Sequence, residues 1–128
     1  MGQPFLHMTY NDKINKTETL NFESSPLTGG ASLSYQNLYV LTSGNTASAS
    51  EIVINCLKPY MEGRLYQVGA ATFGKNVAQQ LFTNAEAPGV ELWLTTTYLS
   101  NSQGYYDYFK NGLLPDFEIE ENYGAELG

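Results

Sequence analysis

The stretch "NLYVLTSGNTASASEIVINCLKPYMEGRLYQVGA" (residues 37–70) constrains the fold more than any other part of the chain. "NLYVLT" is a short apolar run that stops at a turn, the pattern of a buried strand. Val53, Cys56, Leu57 and Tyr60 then fall at i, i+3, i+4 and i+7, which predicts a helix with that stripe turned inward. Pro59 sits where such a helix should stop. "RLYQVGA" reads as a second strand. A strand, a helix and a strand in succession call for a helix packed on a sheet, hence an α/β or α+β domain.

The flanking segments add strands. "PFLHMTY" and "TETLNFE" surround the polar turn "NDKINK" as a hairpin would. "SSPLTGGAS" (residues 24–32) reads as a loop. "QQLFT" and "VELWLTTTYLS" follow the turn "TFGKN", and "LLPDFEIE" ends the fold with a Pro-Asp turn and a short strand. At 128 residues this is one domain, large enough to bury a core unaided.

Charge and rare residues narrow the chemistry. Six basic against thirteen acidic residues leave a net charge of −7, so nucleic acid is not an expected partner. Glu118, Glu120, Glu121 and Glu126 crowd the C-terminus, and residues 117–128 read as a solvated acidic tail. Cys56, the single cysteine, excludes an internal disulfide and a cysteine zinc cluster, and its apolar neighbours predict a buried structural thiol. Neither a cofactor nor a metal is expected. The one histidine, His7, lies in a strand-like segment without the context of a Ser-His-Asp triad. No run of about 18 apolar residues could span a membrane, and the first residues lack the basic-then-apolar order of a signal peptide. Ten tyrosines, with many Thr and Asn, lean toward β structure and an extracytoplasmic protein.

"TASASE" has two readings. Ser48 followed by Glu51 ahead of an apolar run is a capping box, in which the serine accepts a helix N–H and the glutamate reciprocates. Equally, a serine at a strand-to-helix turn stands where helix-start N–H groups can stabilise an oxyanion. A nucleophile needs a base, and with histidine scarce the candidate is Lys75 in "TFGKN". It stands beside Phe73 and Gly74, with no acidic residue in the ten positions before it. A lysine takes a proton only when neutral, a state that apolar surroundings favour. The plain alternative for Lys75 is a solvated turn residue.

"LYVLTSGNTASASEIVINCLKPY" followed by "VGAATFGKNVAQQ" resembles the catalytic core of the C-terminal processing peptidases, or tail-specific proteases. "LTTTYLSNSQG" and "NGLLPD" resemble later elements of that family, so the likeness runs from Leu38 to Asp116. It implies a crotonase-like, mixed α/β (α+β) core fragment: a β-rich sheet with a helix after the nucleophile turn. Residues 1–35 would be a poorly matched β segment and loop, 38–116 the core and 117–128 the tail. It further implies a serine endopeptidase with Ser48 as nucleophile, Lys75 as base and Gln79 orienting the lysine, Gln80 being the substitute if the strand register differs. Ser50 and Glu51 are then structural.

Two features depart from the family. The serine-to-lysine interval is about two residues longer, near "PYMEGR". The upstream "D-L-R-x-N-x-G-G" loop that helps build the oxyanion hole is absent, since Gly29 and Gly30 stand too close to Ser48. The PDZ domain is absent too. The chain is therefore expected to be the C-terminal part of a longer protease, periplasmic or cell-envelope in location and acting on polypeptides. Alone it is expected to be weakly active and to form homo-oligomers through "PFLHMTY" and "TETLNFE". The competing reading is an inactive binding or structural module on the same scaffold.

Overall fold

A computed structural model describes residues 2–23 and 36–120. The loop expected over residues 24–32, with Gly29 and Gly30, and the tail residues Glu121 and Glu126 lie outside the described residues. Within them the order is β1 (Pro4–Tyr10), β2 (Thr17–Asn21), β3 (Leu38–Thr42), α1 (Ala49–Leu57), β4 (Leu65–Gly69), β5 (Val77–Thr83), β6 (Glu91–Ser100) and β7 (Phe117–Glu118). A 3-10 turn, Lys58–Tyr60, carries Pro59 and ends α1 where expected.

Two sheets form. The antiparallel one runs β2-β1-β6-β5 and the parallel one β3-β4-β7. β3 and β4 pair in parallel from Leu38 opposite Leu65 to Thr42 opposite Gly69, because a helical crossover returns the chain to the same end of the sheet. The loops after β3 and β4 therefore leave from one edge, the carboxyl ends of the strands.

The sequence stripe on α1 needs correction. Val53 points outward, 49% exposed. Instead, Ile54 joins Leu65, Tyr108 and Leu113 in one cluster with Leu57 at its margin, and Cys56 joins Leu6 and Leu99 in another with Ile52. At 100° per residue these two flanks stand roughly 150° apart, so α1 is a wedge between the sheets. Val53 occupies the outer gap. Glu51 and Asn55 occupy the inner one and are buried. A helix gripped on two sides has no single apolar face, and the one-stripe pattern misassigned it for that reason.

Two further expectations change. β1 lies between β2 and β6, and over His7–Tyr10, where β6 covers its second edge, it has no free edge for a strand-to-strand contact with another chain. Among the described residues the open edges of that sheet are β2 and β5, and the far ends of β5 and β6 project as a hairpin with Leu81, Phe82, Leu92 and Trp93 exposed. Phe117 and Glu118 form the short strand expected after the Pro-Asp turn and pair with Val68 and Gly69 of β4, so they are not part of a solvated tail starting at residue 117. The Pro115-Asp116 turn clamps them: Asp116 Oδ2 accepts the Gln67 N–H at 2.7 Å and the Asp116 N–H returns to the Gln67 carbonyl at 2.8 Å.

Candidate active site

The loop after β3 is closed by short-range bonds before α1 begins. Thr46 Oγ1 accepts the Ser43 N–H at 3.0 Å, and the Thr46 N–H returns to the Ser43 carbonyl at 2.9 Å. Ser48 then caps the helix with φ 58° and ψ −115°. That conformation strains any residue with a Cβ, by about 1–3 kcal/mol, and a sharp strand-to-helix turn of this kind is how a nucleophilic serine is held out from a sheet. Among the described residues only Asn15 and Lys110 share a positive φ without being glycine. Ser50 sits in the regular first turn of α1. Backbone geometry thus singles out Ser48 and leaves Ser50 ordinary.

The capping box forms unequally. Glu51 Oε2 accepts the Ser48 N–H at 2.8 Å. Ser48 Oγ faces the Glu51 N–H in the reciprocal half of the box, a longer and weaker contact.

Glu51 does more than cap. Its side chain is fully buried, and its carboxylate is shared between two turns through Oε2. Oε2 also accepts the Lys75 N–H at 2.8 Å, while Oε1 accepts the Gly74 N–H at 2.6 Å and the Thr72 hydroxyl at 2.5 Å. The amide nitrogens of Ser48 and Lys75 consequently lie at most about 5.6 Å apart, twice the 2.8 Å bond. One carboxylate holds together the serine turn and the lysine turn. Sequence reasoning found only its capping half, because the partners at Thr72, Gly74 and Lys75 are more than twenty residues away.

A second layer fixes the lysine turn from behind. Thr72 Oγ1 accepts the Leu113 N–H at 2.7 Å, and the Lys110 N–H donates to the Gly74 carbonyl at 3.1 Å. The chains touch so closely that a Cβ on Gly112 would lie 1.9 Å from the Thr72 carbonyl oxygen. Only glycine fits there. On the other side, Asn76 is buried, its carbonyl accepting the Leu99 N–H at 2.8 Å and its Nδ2 donating to the Tyr106 carbonyl at 2.5 Å.

Lys75 itself is half-buried between these anchors. Among the described residues, no hydrogen bond joins its ammonium to the Ser48 hydroxyl; the two positions are coupled through Glu51. Gln79 lies exposed on β5 opposite Thr95, and Gln80 opposite Leu94. The pairing shifts register between Ala78 and Gln79, so the choice between the two glutamines falls at an irregularity of the sheet. His7 Nδ1 meets Thr19 Oγ1 at 2.9 Å across β1 and β2 and takes no part in these turns.

Two buried acids sit beneath the site without functional geometry. Burial pushes the Cys56 thiol up to about 11, a protonated packing residue as expected. Burial first, and the Glu51 charge second, raise the Tyr108 phenol well above its usual range. A cavity of about 370 Å³ opens at the carboxyl ends of β3 and β4, bordered by Leu41, Ser43, Thr46, Val68 and Ile119. That is where ligands of parallel sheets bind. A larger one, of about 620 Å³, lies by Asn55 and Lys58 toward the other end of α1, away from Ser48.

A strained serine at a strand-to-helix turn is thus tied to a lysine turn beside the carboxyl ends of a parallel sheet. Peptidase family S41 matches residues 4–119, nearly the whole chain, including the β1–β2 hairpin. The chain belongs to peptidase family S41. It is 34% identical over 84 residues to a carboxyl-terminal-processing protease of Synechocystis sp., covering 66% of this chain and 18% of that protein. A crystal structure of an S41 protease from Bacteroides fragilis superposes with a TM-score of 0.79 at 33% identity, covering 94% of this chain and 30% of the other. The photosystem II D1 C-terminal processing protease shares the fold, with a TM-score of 0.67 at 23% identity over 93% of this chain and 28% of its own. The chain thus spans about a fifth of the curated relative and under a third of these two solved structures.

Proposed function

We propose that this chain is part of a serine endopeptidase that cleaves polypeptides through a Ser48–Lys75 dyad. The observation that carries the reading is the Glu51 carboxylate, which holds the strained Ser48 and the Lys75 turn against each other. Ser48 Oγ attacks the scissile carbonyl while Lys75 Nζ takes its proton and passes it to the leaving amine. Water then hydrolyses the acyl-enzyme, with Lys75 again exchanging the proton. The Ser48 N–H is committed to Glu51, so the oxyanion donor from the helix start would be the Ala49 N–H. Gln79 orients Lys75.

The whole protein, by this reading, adds an upstream strand with a second oxyanion donor and a PDZ domain, and works outside the cytoplasm. Self-association of this chain would run through the open β5 edge, where Leu81 and Phe82 are exposed, so Phe82→Lys should shift a dimer to monomer in sedimentation.

A serine-directed fluorophosphonate tests the dyad on both this chain and the full-length protein. Labelling of the full-length protein should vanish in Ser48→Ala and Lys75→Ala, persist in Ser50→Ala and fall partway in Gln79→Ala. Labelling that survives Ser48→Ala but is lost in Ser50→Ala would show the wrong serine was chosen. Absence of labelling in the full-length protein would favour the inactive module.

A further inference from the structure

On the face of the antiparallel sheet turned away from α1 lies a cavity of about 500 Å³ with no part in the dyad. Its walls are the rings of Tyr98 on β6 and of Tyr106 and Phe109 on the segment that crosses β6. Tyr98 and Tyr106 stand 6.3 Å apart and tilted by 48°, two walls of an open aromatic corner. Asp107 adds a carboxylate to the lining, and Thr9 and Ser100 a hydroxyl each. At its base is Asn76, 0% exposed. The Nδ2 of Asn76 is held by the Tyr106 carbonyl, which fixes the amide's orientation. Its Oδ1 is buried and has no hydrogen-bond partner among the described residues.

Such an acceptor costs roughly 1–3 kcal/mol unless a donor meets it. The cavity calls for a ligand that favours aromatic faces and complements a carboxylate, and that carries a donor to meet Oδ1 once the side chains covering it shift. A quaternary ammonium has no donor, and a plain alkyl group has neither donor nor charge. A primary ammonium or a guanidinium meets all three requirements. The protein's own Lys110 shows the preference locally: its ammonium lies 5.4 Å from the Phe109 ring. Lys110 does not line the cavity.

We propose that this cavity binds the head of a lysine or arginine side chain presented by a polypeptide. The polypeptide source rests on membership of a peptidase family, while the cation chemistry rests on the cavity alone. Asn76 follows Lys75 directly in the chain, so a basic residue held here would anchor a polypeptide beside the lysine turn. The net charge of −7 favours its approach.

The test uses the Ser48→Ala chain, so that binding is read without cleavage, and follows the ring resonances of Tyr98, Tyr106 and Phe109 by NMR. Nα-acetyl-lysine N-methylamide and its arginine counterpart should bind saturably, in about the millimolar range expected of a single side chain. The norleucine counterpart and tetramethylammonium, which has no donor, should bind at least about tenfold more weakly. n-Butylammonium, the free head group, should bind more weakly than the lysine amide if a polypeptide is the natural source; equal binding would assign the site to small amines and overturn that part. Asp107→Asn and Tyr98→Leu, both at exposed positions that should still fold, should each weaken the lysine probe about tenfold, whereas Tyr98→Phe should not. Equal affinity for lysine and norleucine, indifference to both variants, or no saturable shift with any probe would overturn the proposal. None of these outcomes bears on fluorophosphonate labelling of Ser48, so the two readings fail separately.

Discussion

Glu51→Gln removes a charge while keeping nearly the same volume, and its effect follows from four bonds. The Ser48, Gly74 and Lys75 amides and the Thr72 hydroxyl all donate to Glu51. A glutamine offers one oxygen and one NH₂ group. Its least costly orientation keeps the oxygen on the Ser48 and Lys75 amides and turns the NH₂ to Thr72, whose hydroxyl can accept. The Gly74 N–H then faces a donor, and a buried unpaired N–H costs roughly 1–3 kcal/mol. The other three contacts fall from charge-assisted to neutral, losing about 1 kcal/mol each. Relief of the buried charge offsets part of this, leaving a net loss of roughly 2–4 kcal/mol. At about 2 kcal/mol per molar urea, the unfolding midpoint should fall by about 1–2 M. Hydrogen exchange separates this from a general loss of stability: the Gly74 amide should lose more protection than the Gln67 amide, which bonds Asp116 instead. A midpoint within about 0.3 M of the parent, with Gly74 exchange unchanged, would refute the idea that this carboxylate joins the two turns.

Ser48→Gly should abolish fluorophosphonate labelling yet leave the unfolding free energy unchanged or higher, because glycine adopts φ 58° without strain; Ser50→Gly, in the first turn of α1, should lower it by up to about 1 kcal/mol. Gly112→Ala should cost at least about 3 kcal/mol or prevent soluble expression, since its Cβ would press on the backbone oxygen of Thr72 and not on a movable side chain. Cys56 should resist a thiol reagent at pH 8 until the chain unfolds. Its thiol keeps its proton to about 11 when folded against 9.0 unfolded, so its stabilisation is complete below pH 9 and is lost as pH rises through 11. That amounts to roughly 2–3 kcal/mol in an alkaline urea series, and a flat midpoint from pH 8 to 11 would contradict it.

The local elements were legible because each is specified by neighbours in the chain. Strand periodicity placed β1 to β6, and the β3–α1–β4 order announced a helix on a sheet. The capping box marked the start of α1 at Ser48 and Ala49. The order of "TASASE" and "TFGKN", set beside a known family, named Ser48 and Lys75 as the pair to watch. Tertiary structure decided everything that depends on two distant segments meeting. Val53 faces outward because a second sheet, contributed by β1 and β6, claims the Cys56 flank of α1, and no local period can encode that. The short strand after the Pro-Asp turn was legible, but its partner was not: Phe117 and Glu118 pair with β4 because Asp116 fixes the turn against Gln67. Glu51 looks like an ordinary cap from its neighbours, yet it is fully buried and accepts bonds from residues 72 to 75, which β4 delivers beside the helix start. Hydrogen bonds within one turn are written in adjacent residues; a buried charge shared by two turns exists only once the parallel sheet has set them side by side.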